Sequence, residues 1–124
     1  MRAFIYTNST SAAEQQNHWD ACTGLCHQHG YTVIGSVHDA GTPDHGMRTL
    51  RQRIRSNDMD IVVIPDPITL GHRVSTVSSV VAELNEAGIR LVTASKPHIT
   101  HHELMLVSHF SAAEAALTPL MPQR

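Results

Sequence analysis

Five small polar residues, Thr7-Asn8-Ser9-Thr10-Ser11, follow the apolar run Ala3-Phe4-Ile5-Tyr6. Hydroxyls at the end of a strand have two common uses. One is nucleophilic attack, which needs a base to take the proton and cations to steady the developing charge. The other is capping, in which the oxygen accepts a backbone N–H at a helix start. Glu14 lies three residues after Ser11, so the spacing of a capping box is also met. From these residues alone both uses are open.

Three further groups carry chemistry. Arg48, Arg51 and Arg55, with Arg53 beside them, put basic side chains on a short helix, and Arg73 follows later. Such a face can hold phosphates, with strongly salt-dependent affinity. The plainer reading is a solvated face balanced by Asp58 and Asp60. Cys22 and Cys26 share a helix face, four residues apart, with His27 and His29 close by. That is metal-like spacing, but cysteines packed against a sheet explain it equally simply. His98, His101, His102 and Glu103 offer imidazoles and a carboxylate near a helix start. Metal binding there needs a convergence that spacing does not establish, and a surface histidine cluster is the plainer reading. No metal and no cofactor are expected.

The elements that would position these residues can be read from local signals. Arg2–Thr7 is a strand; Ala12–His29 is a helix capped by Ser11 or Thr10 and closed by Gly30. Tyr31–Val37, rich in β-branched residues, is a second strand, and Asp39–Gly46 is a loop. A basic helix over Met47–Ser56 places Met47, Leu50 and Ile54 on one face. Asp60–Ile64 is a continuous apolar run ending at Pro65-Asp66-Pro67, as suits a strand covered on both sides. Val74–Ala87 has helical spacing and ends at Gly88; Ile89–Ala94 is a fourth strand. A last helix from Thr100 or His101 carries Leu104, Met105, Val107 and Phe110. This alternation predicts an α/β domain with a mainly parallel central sheet of four or five strands and helices on both faces. The functional surface of such a sheet lies beyond the carboxyl ends of its strands. The loops at Asn8–Ser11, Asp39–Gly46 and Asp66–Arg73 are therefore the place to look.

Bulk composition narrows the class. The 124 residues suit one domain over 1–124, and the formal charge of −2 gives no whole-chain attraction to nucleic acid. No apolar run approaches the roughly 18 residues of a membrane span, and the N-terminus lacks a signal-peptide pattern. With two cysteines and no secretory context, a cytoplasmic protein is expected.

In order and spacing, several segments resemble the catalytic domain of serine recombinases, the resolvase and invertase group. They are MRAFIYT, Ser-Thr-Ser before a Gln-containing helix, ACTGLCHQHGYTVIG, HDAGTP, DIVVIPD, LGH, and AELNEAGIRLVTASKPHIT. The resemblance covers nearly the whole chain and implies the resolvase-like fold. It also implies a site in which a serine hydroxyl attacks a DNA phosphodiester while arginines hold the phosphate. The family pattern Tyr-x-Arg-Val-Ser-Thr falls on Tyr6 to Ser11, which puts Asn8 at the arginine place and Thr10 at the nucleophile place. The arginine of the family's mobile loop falls on Asp44 or His45. The family's Asp-Arg-Leu-x-Arg falls on Ile68 to His72, so Thr69 and His72 stand at arginine places, with Arg73 one residue further on.

Losing one preorganised donor to a developing oxyanion lowers a rate by about 10²–10³. Loss of most of the set predicts a recombinase-like domain without strand cleavage, acting as a dimerisation, interaction or regulatory module. In the family the last helix forms the dimer interface, so Leu104, Met105, Val107 and Phe110 are expected to meet a second copy or a protein partner. No helix-turn-helix module is expected after it, and DNA binding is expected to be weak. The alternative is a divergent active recombinase using Thr10 or a neighbouring serine, with Arg48, Arg51, Arg55 and Arg73 holding phosphate. A third possibility is small-anion binding at the Thr10–Ser11 helix start.

Overall fold

The computed structural model describes residues 1–71 and 73–95. Strand β1 (Arg2–Asn8) leads to helix α1 (Ala12–His29), then β2 (Thr32–Asp39) and α2 (His45–Ser56). Strand β3 (Ile61–Ile64), a 3₁₀ turn (Pro67–Leu70), α3 (Val74–Ala87) and β4 (Arg90–Thr93) follow. The four strands form one parallel sheet in the order β2-β1-β3-β4.

Alternation along the strands divides the core in two. Phe4, Tyr6, Val62 and Ile64 point to the face covered by α2 and α3, through Leu50, Ile54, Val77, Val80 and Leu84. Ala3, Ile5, Ile61 and Val63 point to the other face, where α1 contributes Cys22, Leu25 and Cys26. All four residues of β3 are buried, as the unbroken apolar run requires of an interior parallel strand. Half of the residues of the edge strand β2 are exposed. Its register against β1 shifts between Ala3 and Phe4, so Ile34 has no partner residue there. At Gly35 a Cβ would stand 3.0 Å from the Phe4 ring, which explains a glycine in a strand.

The helix limits are set by caps. Ser11 Oγ accepts the Glu14 N–H at 3.1 Å, and Gly30 takes the left-handed conformation at φ 71°. Gly88 ends α3 in the same way, and α2 ends on Asn57, a left-handed non-glycine residue at φ 51°.

Candidate functional site

The loops after β1, β2 and β3 lie at the carboxyl ends of the strands, and one carboxylate organises the segment after β2. Asp39, the last residue of β2, is 5% exposed. Its oxygens accept the Tyr6 hydroxyl at 2.8 Å and the N–H groups of Asp44, Gly46 and Met47 at 2.9, 2.7 and 2.9 Å. Those three N–H groups open α2, whose own N-cap Asp44 makes no side-chain cap. Asp39 therefore caps α2 from the preceding strand, satisfying donors that a helix start leaves free. Burial alone would raise the Asp39 pKa. The hydrogen bonds from the Asp44 amide, the Tyr6 hydroxyl and the Gly46 and Met47 amides outweigh it and hold the group below the ordinary aspartate value. The Tyr6 hydroxyl is pushed far up, first by burial and then by Asp39.

The residues that the resemblance sets at catalytic places have structural work. Asn8 Oδ1 accepts the Gly41 N–H at 2.6 Å, tying the end of β1 to the loop after β2. Gly41 sits at φ 95°, and a Cβ there would be 3.0 Å from Thr10 Cγ2, so the loop passes tight against Thr10. Thr10 is exposed, and its N–H donates to Glu14 Oε1 at 3.3 Å. Among the described residues no arginine bonds to Thr10. Thr69 is buried and shares a capping box with Asp66, which also accepts the Ile68 N–H at 3.1 Å. His72 lies outside the described residues, as do His98, His101, His102, Glu103 and the four residues expected at a partner interface, Leu104, Met105, Val107 and Phe110.

The basic face is balanced in part as expected, by Asp58, and in part by other carboxylates. Asp60 pairs with Arg2 at 3.3 Å, and Asp58 pairs with Arg53 at 2.9 Å, while Arg53 also lies over the Phe4 ring at 5.0 Å. Arg51 instead holds Glu83 of α3 at 2.5 Å, and Arg55 lies 3.6 Å from the same carboxylate. Arg48 pairs with Asp44 at 3.0 Å and touches His45 at 2.9 Å. Only tertiary structure brings Glu83 to these arginines, since 32 residues separate it from Arg51. Arg73 is exposed and makes no ion pair among the described residues. With Arg48 and Arg51 it lines a cleft of about 590 Å³ whose apolar parts include Pro43, Met47 and Leu70. Thr10 is not among the cleft's lining residues.

Ser9 is as enclosed as Asp39, at 4% exposed, and its Oγ has no hydrogen-bond partner among the described residues. A buried hydroxyl without a partner is unfavourable. Ser9→Ala should therefore raise the unfolding free energy by about 1 kcal/mol in urea titrations; a lower midpoint would show that the hydroxyl is bonded after all.

Cys22 and Cys26 are buried against the sheet, while His27 and His29 are exposed. Burial, with smaller contributions from Cys26 and Asp66, pushes the Cys22 thiol up to about 12. Burial raises Cys26 as well. Two cysteines enclosed in the sheet-facing core, beside two exposed histidines, match the core-packing reading.

A doubly covered parallel sheet with its loops gathered at the strand ends is the architecture of a doubly wound α/β domain. A family model described as the resolvase N-terminal domain matches residues 4–118, and the chain belongs to that family. Among solved structures it is similar to the C-terminal catalytic domain of ISC1926 TnpA, an IS607-like serine recombinase. There the TM-score is 0.68 at 17% identity, covering 89% of this chain and 78% of that one. The N-terminal catalytic domain of TP901-1 integrase gives a TM-score of 0.67 at 20% identity, covering 98% and 99%. A resolvase family site-specific recombinase from Streptococcus pneumoniae gives 0.67 at 15%, covering 98% and 94%. These likenesses establish the resolvase-like catalytic-domain fold. No curated protein matches the chain. Among the described residues, no helix is long and apolar enough to cross a membrane.

Proposed function

We propose that this resolvase-family domain no longer cleaves DNA and acts through protein contacts, as a dimerisation or regulatory module linked to recombination. The observation that carries the reading is the surroundings of Thr10. Its amide is taken by the Glu14 carboxylate, and Asn8, at the neighbouring arginine place, is spent on the Gly41 amide. A phosphate presented to Thr10 would meet an anion where the family's reaction needs cations. Three of the candidate arginines, Arg48, Arg51 and Arg55, lie against carboxylates. Arg73 favours the alternative of a divergent recombinase, since it is free of ion pairs among the described residues, but one guanidinium does not replace a set.

The contacts are assigned to the apolar stripe Leu104, Met105, Val107 and Phe110 of the sequence. Light scattering should give twice the 13.6 kDa of one chain, and Phe110→Asp should return the single-chain mass. A monomer at high micromolar concentration, with or without a recombinase partner present, would overturn the module reading.

A further inference from the structure

Helix α1 packs on the sheet only through its second half. No residue from Ala12 to Asp20 is buried, whereas Cys22, Leu25 and Cys26 are. Between the unburied half and strand β2 lies a groove of about 390 Å³, within the roughly 300–1,000 Å³ of small-molecule sites. Gln15, Gln16 and Trp19 line one wall, at spacings that share a helix face. Thr7, Ser36 and His38 line the other.

The polar groups here are organised by hydrogen bonds. Thr7 is 4% exposed, and its Oγ1 lies 2.9 Å from His38 Nδ1, which fixes the imidazole. His38 Nε2, the Gln15 amide and the Trp19 indole N–H have no partner among the described residues. Gln16 Nε2 donates to Asp20 at 2.8 Å, which leaves its carbonyl to accept. Trp19, the only tryptophan of the chain, is 37% exposed. No arginine, lysine or carboxylate lines the groove.

We infer that this groove binds a planar, uncharged heteroaromatic molecule of the nucleobase or nucleoside class, stacked on Trp19 and read at its edge by Gln15 and His38. An aromatic wall favours a flat π face. Free amide and imidazole groups suit a heterocycle edge that both donates and accepts. The lining gives a phosphate no arginine or lysine to pair with, and Asp20 beside Gln16 repels one. The inference stands independently of whether the domain cleaves DNA.

Adenosine is the probe, and the single tryptophan is the reporter. Titrating the full chain should change Trp19 fluorescence saturably, whereas glucose should not. Adenosine 5′-monophosphate should bind no tighter than adenosine. Gln15→Ala, an exposed helix substitution whose fold circular dichroism can check, should weaken adenosine binding about fivefold, the loss of about one hydrogen bond. His38→Phe should weaken it similarly. The inference is overturned by the absence of a saturable change, by equal binding in Gln15→Ala, by a response to glucose, or by preference for the monophosphate. A short single-stranded oligonucleotide binding far more tightly, and losing affinity with salt, would also overturn it by showing that the strand is the ligand.

Discussion

Asp39→Ala should destabilise the domain by about 3–5 kcal/mol, a large part of the roughly 5–15 kcal/mol that holds a domain folded. The substitution strands the N–H groups of Asp44, Gly46 and Met47 and the Tyr6 hydroxyl at once. Each unpaired buried donor costs about 1–3 kcal/mol, partly relieved where water can enter. Asp39→Asn keeps the shape but turns an NH₂ toward donors, so it should lie between wild type and Asp39→Ala. The sign of the pH dependence follows from the lowered pKa. The carboxylate is favoured in the fold, so its contribution is full above the unfolded value of 3.8 and is lost as pH falls through the folded value. Urea midpoints of wild type and Asp39→Asn should therefore differ widely at neutral pH and approach each other as the pH falls below 3.8 through the folded value. A constant gap would show that the charge plays no part.

Gly46→Ala should destabilise by about 1–3 kcal/mol, although propensity alone favours alanine in a helix by about 1 kcal/mol. A Cβ on Gly46 would stand 2.9 Å from Asp39 Cγ and Oδ1 and 3.0 Å from Oδ2. Asp39 is short and held by four hydrogen bonds, so it can give way only by releasing them. Gly24 is the contrast. A Cβ there meets nothing within 4 Å, so Gly24→Ala on α1 should stabilise by about 0.5–1 kcal/mol. If the clash with the carboxylate is the cause, Gly46→Ala should cost far less in an Asp39→Ala background. Additive effects in that double-mutant cycle would point to a different cause.

These residues also mark what the sequence could and could not convey. The limits of α1 and α3 agree with their sequence reading to the residue, because Ser11, Gly30 and Gly88 are local punctuation. Helix α2 begins at His45 and not at Met47, because its cap is Asp39, outside the window that a capping pattern scans. Strand β2 starts at Thr32 and runs two residues past Val37, where β1 supplies the partners Thr7 and Asn8. Strands β3 and β4 are shorter than their apolar runs suggest, by one residue and by two. In the site, motif order gives Asn8, Thr10 and Thr69 their expected places. It does not give their hydrogen bonds: Asn8 reaches Gly41 across 33 positions. The pairing of Arg51 with Glu83 is equally non-local. The Asp39–Gly46 segment did hold a clue, a carboxylate closing a strand just before a helix whose start has little room for side chains.

The central claim concerns Thr10, and a covalent trapping experiment addresses it most directly. The purified chain is incubated with supercoiled plasmid, alone and with an active recombinase of the same family, then denatured and searched for protein joined to DNA. No adduct of this chain is expected, and Thr10→Ala should be indistinguishable from wild type. An adduct formed by wild type and lost in Thr10→Ala, Ser9→Ala or Ser11→Ala would contradict the account and make this domain a strand-cleaving recombinase.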